Sequence, residues 1–279
     1  MISVCESTCP TLTNSNLQSQ VDSYVSDPSN HACGNISTWD VSGVTDISSL
    51  FQGKAGFNGN ISTWDTSSVT SMAYTFSGAT SFNGDLSTWD TSSVTSMERT
   101  FNQASAFNGD LSNWDISNVA SLEYTFSQAS AFNGNISTWD VSSVTSLEET
   151  FNYATSFNGD VSNWDISRVT SFEDTFNYTT SLTNCNKRAI YISWDSQQSG
   201  ILDSQYSSWA SLCTCAVDEY VSNNACVACA AGTTNAAGDD VYGSNTTCDQ
   251  SSDDTSSSSS RDDTAYIVVG VVLLWMLSH

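Results

Sequence analysis

A Trp-Asp pair recurs every 25 residues without an insertion: Trp39-Asp40, Trp64-Asp65, Trp89-Asp90, Trp114-Asp115, Trp139-Asp140 and Trp164-Asp165. A gapless period of this kind constrains the fold more than any other feature of the chain. Equivalent residues must meet equivalent residues of the next repeat, so the repeats are expected to stack as coils of a solenoid. The repeats run 33–57, 58–82, 83–107, 108–132, 133–157 and 158–182. In the second, the apolar positions are Ile61, Trp64, Val69, Met72, Phe76 and Phe82, and their counterparts recur in every repeat. Burying them stabilises each coil by on the order of 10 kcal/mol. Fixing the backbone of the same coil costs more than that, so one coil alone should not fold.

The spacing also suggests local structure. Ile61-x-x-Trp64-x-Thr66 has the periodicity of a leucine-rich-repeat strand, which places a short parallel strand at 63–66 and its equivalents. Val69, Met72, Phe76 and Ala79 fall at helical intervals, which predicts a short helix or 3₁₀ turn near 71–79. Phe82-Asn83-Gly84 then returns the chain, with glycine supplying a positive φ. The expected class is therefore an α/β, leucine-rich-repeat-like solenoid with one short strand and one short helix per coil, followed by a small disulfide-rich module.

The flanks read as separate segments. Residues 1–32 and 183–212 are expected to cap the open ends, and 213–248 to form a cysteine-rich module. Residues 249–264 are a Ser/Asp stretch without the apolar content for a core, hence a stalk. Residues 265–279 contain a thirteen-residue, mostly apolar run, Ala265 to Leu277. A spanning helix needs about 20 residues. The run fits a GPI-attachment signal better, with Ser252 and Ser256 as attachment candidates, and a short membrane helix is the alternative. Residues 1–5 have neither a basic nor an apolar leader character, and the expectation is that the natural start lies upstream.

Charge narrows the partners. Six Lys and Arg stand against thirty Asp and Glu, a formal net charge of −24. Nucleic acid is excluded as a partner because the chain has too few cations to displace phosphate counterions. The nine cysteines are concentrated towards the C-terminus, which points to an oxidising compartment. Cys185, Cys213, Cys215, Cys226, Cys229 and Cys248 are the disulfide candidates, with a four-thiolate zinc site at Cys213, Cys215, Cys226 and Cys229 as the alternative. Sequons at Asn35, Asn60, Asn135, Asn177 and Asn245 are glycosylation candidates.

The repeat pattern F-N-G-[ND]-[ILV]-S-[TN]-W-D-x-S-x-V resembles the BspA-like surface-protein repeat, a leucine-rich-repeat-like unit of about 26 residues. Cys213-Thr214-Cys215, Cys226-Val227-Ala228-Cys229 and Cys248 resemble the Cys-rich repeat of ephrin-receptor-like and TNF-receptor-like ectodomains. These resemblances imply an extracellular adhesion or recognition protein that binds a protein or glycan, and the apolar run 265–277 adds an expected membrane anchor at the C-terminus. The alternative is a coat or cell-wall component that assembles laterally, with or without calcium. Ice or mineral binding through Thr70, Thr95, Thr145 and Thr170 is a third reading, weakened by Ala120 in the same column.

No enzyme is expected. The two histidines, His31 and His279, lie in the cap and the tail, and no nucleophile elbow, zinc-protease motif or phosphate loop occurs. No cofactor is expected apart from Ca²⁺, for which the column Asp40, Asp65, Asp90, Asp115, Asp140 and Asp165 offers oxygen ligands. Neighbours in that column would repel by about 0.8 kcal/mol in water at roughly 5 Å. The competing reading is that each Asp closes an Asx turn onto the residues after it. The ligand-face candidates are Tyr74, Arg99, Tyr124, Glu149 and Asp174, which vary where their neighbours are fixed.

Overall fold

The structure is a computed structural model that describes residues 9–212, together with four short strands further along the chain. Residues 33–182 form a stack of coils in which equivalent residues lie one above another. Three aromatic columns fill it. Trp64, Trp89 and Trp114 stack with ring centroids 6.3 and 6.5 Å apart. Phe76 stacks on Phe101 at 5.4 Å, and Phe82 on Phe107 at 6.0 Å. Within one coil Phe76 lies 4.1 Å from Phe82, which ties the second column to the third. All these rings are buried. From the second coil on, each indole Nε1 donates to a carbonyl of the preceding coil, as Trp89 does to Ile61 O at 3.0 Å.

The α/β expectation is overturned. The repeat region contains no α-helix and no strand, only isolated parallel bridges such as Ser71 with Ser96, and a single 3₁₀ turn at Ile36–Thr38. Around Trp64, where a strand was expected, the backbone closes local turns: Trp64 N–H bonds Ile61 O, and Val69 N–H bonds Thr66 O. Side chains bridge the coils there instead, for example Thr63 Oγ1 to Ser37 O at 2.5 Å. The expected helix fails for a different reason. Residues 74 and 78 of each coil have positive φ, which no α-helix accommodates. The apolar spacing over 69–79 comes from successive tight turns, each returning a side chain to the interior: Thr75 N–H bonds Met72 O, and Ala79 N–H bonds Phe76 O.

The same segment carries the backbone ladder. Met72, Tyr74, Phe76 and Gly78 donate their N–H groups to Ser96, Glu98, Thr100 and Asn102 of the next coil, at 2.7–3.0 Å. The ladder recurs through the stack, always with N–H directed to the following coil and C=O to the preceding one. A buried threonine in each coil reinforces it: Thr100 Oγ1 donates to Met72 O at 3.0 Å and to Met97 O at 2.8 Å.

Gly84 does not serve as the positive-φ residue expected of it. Glycine is required there because a Cβ would lie 2.9 Å from Cε2 of Phe82, the buried ring two residues earlier.

Each end of the stack is covered by a cap that both donates and accepts: Asn14 Oδ1 takes Thr45 N–H at 2.9 Å at the start, and Gln198 Nε2 donates to Val169 O at 3.0 Å at the finish. At the start, α1 (Leu17–Ser26) presents Gln18, whose Nε2 donates to Leu50 O of the first coil. The disulfide Cys9–Cys33 ties the segment before α1 to that coil. At the finish lie α2 (Asn184–Gln197), α3 (Asp203–Tyr206) and a 3₁₀ turn at Ser207–Ser211. Along the ladder this cap accepts: Gln205 Oε1 takes Asp174 N–H at 3.1 Å, and Tyr206 Oη takes Phe176 N–H at 3.0 Å. Burial pushes the Tyr206 phenol up to about 12. Trp194 of α2 continues the indole column, 6.4 Å from Trp164.

Beyond the stack, β1 (Glu219–Ser222) pairs antiparallel with β2 (Ala225–Ala228), and β3 (Thr233–Thr234) with β4 (Asp249–Gln250). The remaining cysteine-rich, stalk and apolar-tail residues lie outside the described part. So do the placements expected of Asn245, Ser252, Ser256 and the side chains of Cys213, Cys215, Cys226, Cys229 and Cys248. Among the described residues, no helix is long and apolar enough to cross a membrane.

Candidate functional site

Each coil exposes two edges with different chemistry. The first follows the tryptophan. Asp65 is exposed, and its Oδ1 accepts the N–H of Ser67 at 3.1 Å and the hydroxyl of Ser67 at 2.6 Å. Asp40, Asp90 and Asp115 repeat both bonds, and Asp140 and Asp165 repeat the backbone one. The serine hydroxyl, then the serine N–H, hold the Asp40, Asp65, Asp90, Asp140 and Asp165 carboxyls below the usual carboxylate range. Asp40 and Asp90 push weakly back on Asp65. The column is thus built as Asx turns. Among the described residues, no three His, Cys, Asp or Glu side chains come together as a metal site.

The Asn-Gly-[Asn/Asp] column works in the same way. Asn35, Asn60 and Asn135 each accept the N–H of the serine two residues on, as do Asp85, Asp110 and Asp160. These three sequon asparagines are exposed, and Asn177 is half-buried on the opposite edge.

The second edge is the ladder segment. Ser49, Tyr74, Arg99, Tyr124, Glu149 and Asp174 all have φ between 47° and 60°. The left-handed region costs a non-glycine residue roughly 1–2 kcal/mol. The structure therefore brings the five ligand-face candidates into one column, held by strained backbone and not by a helix. Four residues on runs a second column, Gly53, Gly78, Gln103, Gln128, Tyr153 and Tyr178, also entirely at positive φ. Sequence reasoning missed this column. Its signal was present: two Gly, two Gln and two Tyr stand there in turn, followed by Ala in four of the six repeats.

The first column packs along itself. The Arg99 guanidinium lies 4.2 Å from the Tyr124 ring centroid and 5.5 Å from that of Tyr74. Arg99 Nε is 3.7 Å from Glu98 Oε1, and Tyr74 Oη donates to the same oxygen at 3.0 Å. That hydrogen bond raises the Tyr74 phenol; burial, then Glu149, raises that of Tyr124. In the second column Tyr153 and Tyr178 stack at 4.2 Å and remain exposed, at 44 % and 55 %. Asn152 links the columns, its Nδ2 donating to Glu149 Oε2 at 2.6 Å.

Past Tyr178 the surface dips into a groove of about 300 Å³ between the last coil and the C-terminal cap. Lys187 lies in it with its ammonium 5.9 Å from the Trp209 ring centroid. Cys185, one of the disulfide candidates, is disulfide-bonded on α2. Cys9–Cys33 was not anticipated; the only hint was Cys33 standing where later repeats carry the Asn of the turn.

No curated protein and no solved structure matches the chain. One family does, twice, over residues 19–133 and 109–211, and no Cys-rich receptor-like repeat is matched. Together the two matches span the stack, most of α1 and nearly all of the C-terminal cap. The chain belongs to the family described as Mycoplasma protein of unknown function, DUF285, a repeat family associated with BspA-like surface proteins.

Proposed function

We propose that this is a non-catalytic recognition protein of the cell surface. It binds an extracellular protein or glycan through the edge that carries the two positive-φ columns, and the apolar segment 265–279 anchors it. One observation carries the reading. Residues that hold the coils together are near-invariant from coil to coil, while side chains at the strained positions differ and project outward. Backbone strain retained at exposed, varied positions is the pattern of a binding surface. The disulfides at Cys9–Cys33 and Cys185 support an oxidising, extracellular setting. The family's association with surface proteins points the same way.

The test uses the full chain, secreted behind an added signal, with saturable binding to cell surfaces and extracts as the readout. Tyr153→Asn with Tyr178→Asn keeps a residue type that tolerates positive φ and removes the exposed ring pair. This double variant should lose at least about fivefold in affinity, with the melting temperature held. Unchanged binding would move recognition off this edge.

A further inference from the structure

The ladder edge carries tyrosines in two arrangements. In the second to fourth coils they are kept apart. The Arg99 guanidinium lies between the rings of Tyr74 and Tyr124, and their hydroxyls donate to Glu98 and Glu148. In the fifth and sixth coils nothing separates them. The Tyr153 and Tyr178 rings stack face to face, with centroids 4.2 Å apart and planes within 19°. Rings at that separation are in van der Waals contact. The main chain fixes the pair: both residues sit at φ 56°, and Tyr153 N–H bonds Asn177 O, the carbonyl before Tyr178, at 2.9 Å. The repeat itself does not dictate the contact, because the same column reads Gly53, Gly78, Gln103 and Gln128 in the earlier coils.

Exposure singles out the same two residues. Tyr153 and Tyr178 are open to solvent, and every other tyrosine among the described residues is buried or half-buried. Two phenols are therefore accessible to an oxidant and already in contact. A radical formed on one ring meets the other at an effective concentration far above that of a second molecule.

We propose that Tyr153 and Tyr178 are a site of oxidative cross-linking, in which a carbon–carbon bond between their rings staples the fifth coil to the sixth. The oxidant is hydrogen peroxide, used by a haem peroxidase. One electron and the phenolic proton leave each tyrosine, and the peroxide is reduced to two waters. The two radicals pair at ring carbons next to the hydroxyls, which forms the bond. The hydrogens on those carbons then move to the oxygens and restore both phenols, so the chain loses two hydrogen atoms in all. The disulfides at Cys9–Cys33 and Cys185 fit the oxidising setting that this chemistry needs. The bond closes a loop from Tyr153 to Tyr178 and so restricts the unfolded chain across the last interface between coils. The inference does not depend on the recognition reading above.

The placement of basic residues supplies the test. Trypsin cleaves after Arg99, Arg168 and Lys187, so Tyr153 and Tyr178 fall on different peptides, 100–168 and 169–187. The full secreted chain is treated with a haem peroxidase and hydrogen peroxide, then reduced, unfolded and digested. Mass spectrometry should find the two peptides joined, lighter by two hydrogen atoms than their sum, with the fluorescence of dityrosine. The yield should not change on roughly tenfold dilution of the protein, because the rings meet within one molecule. Tyr153→Phe keeps the stacked ring without its hydroxyl and should abolish the joined pair, whereas Tyr74→Phe should leave it intact. The cross-linked chain should melt about 5 °C higher than the untreated one.

No joined pair in the unaltered chain would overturn the proposal. So would a pair that persists in Tyr153→Phe, which would assign the link to Tyr124 on the same peptide. A yield that falls on dilution would show coupling between molecules and overturn it too. Circular dichroism of each variant before oxidation confirms that the stack is intact.

Discussion

The two edges of the coil solve the same problem in opposite ways. Along the Trp-Asp edge every coil repeats the same answer. Asp65 closes its turn onto Ser67, Trp64 bonds the previous coil, and the later repeats copy both. Along the ladder edge the backbone repeats just as faithfully, yet the side chains run through Ser, Tyr, Arg, Glu and Asp in one column and Gly, Gln and Tyr in the other. Side-chain identity is fixed where side chains join the coils and free where the backbone alone joins them. A repeat protein can diversify a surface without loosening its stack by moving cohesion into main-chain hydrogen bonds at that surface.

Substitutions should separate the edges cleanly. The largest effect belongs to the indole column. Trp114→Ala removes a buried ring and its 3.0 Å bond to Leu86 O, and should destabilise the protein by about 3–5 kcal/mol in urea unfolding. A loss below about 1 kcal/mol would mean that the columns do not carry the stack.

The ladder edge should respond with the opposite sign. Gln103→Gly and Gln128→Gly relieve positive φ at positions where glycine stands in the first two coils, and each should raise stability by about 0.5–1 kcal/mol. Gly78→Ala runs the other way, since φ is +72° and the new Cβ would lie 3.4 Å from the Gly53 Cα. If Gln103→Gly destabilised the protein instead, the side chain would be a structural member of the edge and not a variable one.

Acid should act on the Trp-Asp edge. The carboxyls of Asp40, Asp65, Asp90, Asp140 and Asp165 are depressed when folded, so the unfolded chain binds more protons between the folded values and about 3.9. Their contribution is therefore fully present above about pH 5 and is lost as pH falls through the folded values. The melting temperature of the full chain should drop over that window, and the drop should shrink in Asp65→Asn with Asp90→Asn. An undiminished acid transition in that variant would assign the effect to other carboxylates. The smallest change should come from Ca²⁺. With Asp Oδ1 already engaged by Ser, adding calcium or a chelator should leave the melt unmoved; a rise with calcium would restore the metal reading of the column.

Much of the interior was legible before any coordinates. Trp64, Phe76 and Phe82 recur at fixed spacing, and only stacking of equivalent coils buries all of them. The path between them was not legible, because the spacing of Val69, Met72, Phe76 and Ala79 suits a helix and a run of tight turns equally well. The deciding residues, 74 and 78, are Tyr, Arg, Glu, Gln and Asp in most coils, and only Gly53 and Gly78 hint at positive φ. Of the candidate site, the column from Tyr74 to Asp174 could be picked out by its variability. Tyr153 and Tyr178 could not be joined to it until the coil showed that positions four apart lie on one edge. The Cys9–Cys33 bridge was hidden for a simpler reason: pairing depends on where the first coil places its turn.

The direction of the ladder has a consequence for assembly. Along the ladder N–H groups point to the following coil, while Thr70 and Ser81 donate to Thr45 O and Ala55 O of the preceding one, so each end of a bare stack would offer donors and acceptors in the register of the other end. Such ends are complementary, and a head-to-tail contact between them does not close on itself; it propagates as a filament. Asn14 and Gln18 at one end, with Gln198, Gln205 and Tyr206 at the other, are therefore chain terminators as well as caps. They keep one molecule from becoming the next coil of another.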